Sequence, residues 1–474
     1  VSDKQKAVFT SGSTMRHVVV MTVTGSIGLV AIFFVDIITL FYISLLGEQE
    51  LAAAIGYSAT LMFFTVSVSI GFAIAATARV AKALGAGQPE EARRLASSSM
   101  IYILTVSVLL AALLYATLPV LLSWLGAEGE TLALSISFMQ IVVPSIPMLG
   151  FGMCAGGLLR AKGDPRRAMY VTLAGGAAAL VLDPIFIFGF GLGIDGAAIA
   201  TVLVRVVILG VSLHALVRVH NLFAAPSMGD ITQHLKPFII IAAPAVATQL
   251  ATPVGNAYIT AAIADYGDSA VAGWAIVGRL LPVAFGTIFA LSGAVGPILS
   301  QNYGAGLIPR VRQTMRDALT FTLIYCLAVW AILALAAPLI VDIFGASGES
   351  ALLIETFCTI VAGTFLFNGA LFVANAAFNN LGFAFYATIF NWGRATLGVI
   401  PFVWLGNRLG GAEGILIGWG LGAVVFGIAA AIVAFRCIDR LQAPDDNDED
   451  RHTYSAPAGN SPFTSGKGAA AGLN

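Results

Sequence analysis

From residue 18 to residue 436 the chain is a succession of apolar runs, each closed by a short charged or glycine-rich break. A run of about 20 apolar residues, at about 1.5 Å per residue, spans the hydrocarbon core of a bilayer as a helix. The pattern predicts twelve such helices, at about residues 18–46, 52–83, 96–120, 132–159, 169–190, 196–218, 237–264, 270–302, 317–340, 350–378, 385–405 and 413–436. It also repeats. LGAGQPEEARR from Leu84 returns as YGAGLIPRVRQ from Tyr303, LGAEGE at Leu125 as FGASGE at Phe344, and Gly163 as Gly382, each at an offset of 219 residues. Six helices therefore make one half and six the other. An even number of spans returns the chain to its starting side, so the two halves share an orientation and are related by an axis along the membrane normal.

Composition agrees with an all-α integral membrane protein. Hydrophobic residues are 58 % of the chain and charged residues 10 %, against about 25 % charged in an average soluble protein. Twenty lysines and arginines fall in breaks on the side of the N-terminus and one, Arg408, on the other. The positive-inside rule then places both termini in the cytoplasm of a cell inner (plasma) membrane protein. The expected organisation is a cytoplasmic segment 1–17, an N-lobe 18–218, a cytoplasmic linker 219–236, a C-lobe 237–440 and a disordered tail 441–474. The tail carries DDNDED at 445–450 and too few apolar residues to fold.

Chemistry of the enzymatic kind is missing. The four cysteines are scattered without CxxC spacing, the five histidines sit at helix ends or in the linker and tail, and neither a phosphate loop nor a nucleophile elbow occurs. No cofactor, no metal centre, no enzyme activity and no nucleic-acid partner is expected. Two acids are left deep in the membrane, Asp36 on the first helix and Asp183 on the fifth. A carboxylate there costs about 2.5–3.5 kcal/mol on insertion scales and needs a partner, water or a task. The repeat aligns Asp36 with Asn256 and Asp183 with Ile400, so only the N-terminal half kept the acids. One reading makes them an ion-coupling pair that shares protons or a cation. The other pairs Asp183 with Arg205, one turn beyond Thr201. Gln249, Asn256 and Arg279 are the polar groups expected to line the cavity from the C-lobe. Arg279 and Arg394 are expected to pack against carbonyls and amides such as Asn391, with binding of an anionic substrate as the alternative.

The paired GAG segments, LLRAKGDPRRAM at 158–169 and LDP at 182–184 resemble the multidrug and toxic compound extrusion (MATE) family, and its DinF-like branch in particular. The resemblance covers all twelve helices. It implies two six-helix lobes arranged as a V that rock between outward- and inward-open states, with Asp36, Asp183 and Thr201 at the family's coupling positions. Two departures stand out. Ala179 occupies the place of an asparagine one turn before the helix 5 acid, and Gly25 and Gly28 replace a helix 1 proline as the weak points of that helix. Losing an oxygen ligand favours the proton over sodium as coupling ion, with a sodium site at Asp36, Asp183 and Thr201 as the alternative. The expected protein is a monomeric efflux antiporter that exports small amphipathic, cationic organic compounds in exchange for protons. A lipid-linked sugar flippase of the same superfamily is the rival.

Overall fold

The computed structural model of the chain describes residues 7–44, 49–225 and 227–441, without the side chains of Asp36, Leu40, Ser44, Gln49 and Ala52. The acidic tail expected to be disordered lies outside the described residues. Regular structure among the described residues is entirely helical. The N-lobe holds α1 (Thr14–Ser44), α2 (Gln49–Gly85), α3 (Pro89–Trp124), α4 (Gly129–Ala161), α5 (Pro165–Gly189) and α6 (Gly193–Val219). The C-lobe opens with α7 (Met228–Ala264), α8 (Asp268–Gly304), α9 (Ile308–Ile343) and α10 (Glu349–Asn380).

One helical stretch remains, Ala384–Asp439, of 56 residues. At 1.5 Å per residue it would reach about 84 Å, against a hydrocarbon core of about 30 Å. It is two spans. Gly410 and Gly411 leave the helical region, and a Cβ added at Gly414, Gly418 or Gly422 would overlap the backbone of Gly406, Phe402 or Gly398 respectively. Those pairs march in opposite directions along the chain, so α11 (384–409) and α12 (412–439) form an antiparallel hairpin held backbone to backbone. The described residues thus make twelve membrane helices in two six-helix lobes.

The start of α1, the glycine turns after α2 and α8 and the end of α12 share one side of the bundle, called here the near face. Helix ends there are built by the motifs of the sequence. In RAKGDP, Gly163 takes a φ of 84°, the left-handed conformation that closes a helix at little cost only for glycine. Asp164 then caps α5 by accepting from the Arg167 backbone at 3.1 Å, with Pro165 in the first turn. Asp164 also pairs with the Arg167 guanidinium and with His220 at 2.9 Å. Burial alone would raise its pKa, but the hydrogen bonds from His220 and Arg167 outweigh it and hold the carboxyl well below the usual carboxylate range.

The lobes meet where the repeat meets itself. A Cβ at Gly85 would overlap the carbonyl of Gln301, and one at Gly304 would overlap the carbonyl of Lys82. The four positions are two pairs at the 219-residue offset, so each lobe offers the same patch to the other. Around this crossing the near face is sealed. Phe9 is buried, its backbone bonded to Gln301, Asn302 and Arg310 of the C-lobe, and Thr14 donates to Asp317. Higher up, Gly25 of α1 touches Ala290, Gly286 of α8 faces Val30, and Gly28 packs on Thr172. The two glycines expected to weaken α1 are therefore contact points, and α1 is unbroken from Thr14 to Ser44. Every inter-lobe hydrogen bond among the described residues lies at the near face.

The connection between lobes is shorter than the sequence suggested. Instead of starting at 237, α7 starts at Met228, because Ser227 and Asp230 form a capping box. Its first turns are tied to the N-lobe: Tyr102 donates to the Ile231 carbonyl, Arg79 to the His234 carbonyl at 2.8 Å, and the buried His234 ring lies 3.1 Å from both Ser98 and Glu91. Ser97 and Arg93 of α3 hold the carbonyls of Ala224 and Phe223.

Gly304→Val should cost about 1–3 kcal/mol by overpacking. Gly278→Ala, where a Cβ meets open space, should leave stability unchanged or slightly higher, and thermal unfolding of the purified variants reads both. Asp164→Ala should cost about 1 kcal/mol at neutral pH. Because the folded pKa is depressed, the native advantage is complete above the unfolded value of about 3.9 and fades as pH falls through the folded one. The gap between the unfolding midpoints of native and variant should be narrower at pH 3 than at pH 7.

Candidate functional site

Asp183 sits late in α5, just before Pro184. Proline donates no hydrogen bond and stops the α-helical ladder. Residues Ile185–Gly189 continue in wider π-helical turns, with the Phe190 amide bonded five residues back to Ile185 at 2.9 Å. Asp183 is 4 % exposed. Its described partner is Thr39 of α1, whose hydroxyl donates to Oδ2.

The register between α1 and α5 explains the meeting. The helices run parallel, with Gly28 against Thr172, Gly176 against Val35 and Thr39 against Asp183. Position 36 lies three residues before Thr39, on the same face of α1. The side chain of Asp36 lies outside the described residues, so its pairing with Asp183 is placed here only by that shared face.

The other expected members bond to other groups. Thr201 of α6 is half-buried and donates to the Ala197 carbonyl of its own helix at 2.9 Å. Arg205, expected as the alternative partner of Asp183, turns instead to α4: its Nη1 donates to Ser145 Oγ at 2.7 Å and to the Val142 carbonyl at 3.3 Å. The physical reason is local. A one-turn 3-10 segment at Val143–Ser145 interrupts α4 at Pro144, and the carbonyl and hydroxyl there give the guanidinium neutral acceptors. No ion pair joins Asp183 to a cation among the described residues.

In the C-lobe, Asn256 and Arg279 are exposed and Gln249 is half-buried, and none has a described side-chain hydrogen bond. The expected Arg394–Asn391 contact is replaced by two others. Asn391 donates to Asn375 Oδ1 at 2.9 Å and to the Ala387 carbonyl, while Arg394 donates through Nη2 to Thr252 of α7 at 3.2 Å. Apart from these groups, a groove of about 650 Å³ runs along α1 at mid-depth. Val23, Ile27, Val30 and Phe34 line it with Leu173 and Phe321, and none of the candidate site residues does. Thr39 is the site residue that the sequence reading missed. Its signal was weak: a hydroxyl one turn after Asp36 in an otherwise apolar stretch, residues 28–41.

The family model described as MatE matches residues 26–185 and 244–405, once in each lobe. The chain belongs to the MatE family. Its members are transporters that handle small organic substrates within the membrane, and this chain is a multi-pass membrane protein of that kind. It is 28 % identical to the FAD transporter of Shewanella oneidensis over 89 % of this chain and 95 % of that one. It is 23 % identical to the multidrug export protein MepA of Staphylococcus aureus over 93 % and 98 %. Among solved structures, the MATE transporter VcmN of Vibrio cholerae in the bent form superposes with a TM-score of 0.85 at 25 % identity, covering 90 % of this chain and 97 % of that one.

Thr39→Val removes the described donor to a buried carboxyl and should cost about 1–3 kcal/mol. Thr201→Val, whose hydroxyl serves only its own helix, should cost less than 1 kcal/mol. Thermal unfolding of the two variants side by side checks the ranking.

Proposed function

We propose that this protein is a secondary active antiporter, in an inner membrane with both termini cytoplasmic, that exports amphipathic organic compounds in exchange for protons. Sodium is the alternative coupling ion. A single chain carries the activity, and its motifs favour the DinF-like branch of the family. The observation that carries the reading is Asp183, a buried mid-helix carboxyl met by a hydroxyl rather than by a cation. An acid kept for structure is paired with positive charge, whereas an acid that couples transport must gain and lose its charge during the cycle. Asp36, one turn before Thr39, is the second coupling acid, and Thr201 lies within the same lobe for a rearranged state.

The near-face seal supports an outward-facing arrangement in this orientation. Export then requires the lobes to part at the Gly85–Gly304 crossing and to close on the far side. One proton crossing about 100 mV releases about 2.3 kcal/mol, and one pH unit adds about 1.4 kcal/mol. A monovalent cation exchanged for one proton uses only the second of these, so two titrating acids suit cationic cargo.

A second substrate reading is favoured by Arg394, a buried guanidinium in the C-lobe that meets no acid among the described residues. The relative named an FAD transporter brings an anionic flavin nucleotide into consideration as cargo beside cationic drugs.

Transport in proteoliposomes with pH and sodium gradients imposed separately tests the coupling. A proton gradient alone should drive uphill export, and Asp183→Asn and Asp36→Asn should each abolish it while leaving the unfolding midpoint near that of the native protein. Undiminished gradient-driven export by both variants would remove the coupling assignment.

A further inference from the structure

Arg394 is 8 % exposed, ten residues into α11 from its near-face start at Ala384. A guanidinium has five N–H donors and remains charged in proteins. The described acceptor is one neutral hydroxyl, Thr252 Oγ1 at 3.2 Å, and Nε is buried with no partner at all. The acids of the C-lobe lie toward the ends of its helices, and no ion pair reaches Arg394 among the described residues. Two neutral groups lie nearby in sequence or fold: Asn391, one turn earlier on α11, and Asn375 of α10 to which it is bonded. The α-helix ends at Ala395, and residues 396–399 pass through an irregular turn before Pro401. The carbonyl end of that broken helix offsets at most about half a unit charge.

The other repeat has no cation at the matching position. The matching stretch of α5 carries the pair Gly175–Gly176, with Gly176 packed on Val35 and Gly175 on Ile208. Two copies of one scaffold thus differ by a buried, under-bonded guanidinium in the C-lobe and a buried acid in the N-lobe. Burying a charge without a counter-charge is costly, and an arginine fork in a dry site matches a carboxylate or phosphate.

We propose that Arg394, with Thr252, is a C-lobe subsite for the anionic group, carboxylate or phosphate, of the compound that this transporter carries. The inference rests on the reading of the chain as an exporter and adds to it the charge of its cargo. The substrate is then bipolar in its demands on the protein: its acidic group goes to the C-lobe, while proton exchange stays with Asp183 in the N-lobe.

The test is equilibrium binding to the purified full chain in detergent, with no gradient imposed, using riboflavin 5′-phosphate and riboflavin as probes that differ by one phosphate. The native protein should bind the phosphate form about tenfold or more tighter, as expected for charge-assisted hydrogen bonds. Arg394→Gln should bring the two probes to equal affinity without lowering the ligand-free unfolding midpoint, and Arg394→Lys, which keeps the charge, should retain part of the preference. Equal binding of both probes by the native protein would overturn the proposal. So would a preference that survives in Arg394→Gln, or a ligand-free midpoint that drops by several degrees in that variant, which would make the arginine a packing residue. A third arm adds phosphatidylglycerol. Stabilisation by that lipid, lost in Arg394→Gln while the two flavins bind alike, would assign the site to a lipid headgroup and overturn the substrate assignment. Since binding is read without a gradient, a failure of proton coupling leaves these outcomes unaffected.

Discussion

The contact on which the assembly turns is the mutual approach of α2 and α8 at Gly85 and Gly304. Hydrocarbon offers no hydrophobic drive for helices to associate, so close packing and hydrogen bonding must do the work, and small residues allow backbones to reach each other. Here the same pair of positions in each repeat supplies both surfaces. The seal of Phe9, Gln301, Asn302 and Arg310 is assembled around that crossing. A side chain larger than hydrogen at either glycine would hold the two lobes apart and dismantle the seal with them.

A duplicated scaffold separates what the fold requires from what the function requires. Glycine crossings, helix-end turns and the helix count recur in both halves. The deep charges do not. Asp183 has Ile400 as its counterpart, and Arg394 has a pair of glycines. Each charge therefore belongs to one lobe and not to the shared architecture, which makes it a candidate for a task in transport.

Much of this was legible in the residues. Apolar run length and the offset of 219 residues give twelve spans in parallel halves, because bilayer thickness and helix rise leave little freedom. Helix starts were less legible: Pro237 looked like a boundary, but the Ser227–Asp230 box sets the helix earlier and Pro237 rides inside it. Partners of buried polar groups were least legible. Arg205 went to a broken turn of α4 rather than to an acid at its own depth, since a guanidinium can be satisfied by carbonyls and hydroxyls that carry no charge signal. Thr39 escaped notice for the same reason.

The anchoring of α7 has a mechanical consequence. Its first turns belong, by their bonds to Arg79, Ser98, Tyr102 and Glu91, to the N-lobe, whereas its far half packs within the C-lobe against α11, at Thr248 on Thr388 and Gly255 on Ala395. The helix is therefore a lever clamped at both ends to bodies that must move relative to one another. Either the clamp lets go or the lever bends, and Pro237, Pro244 and Pro253 each remove a hydrogen bond from it between the clamped regions or beside them. Flexure of one helix, rather than slack in a loop, then sets how far the two lobes can swing apart.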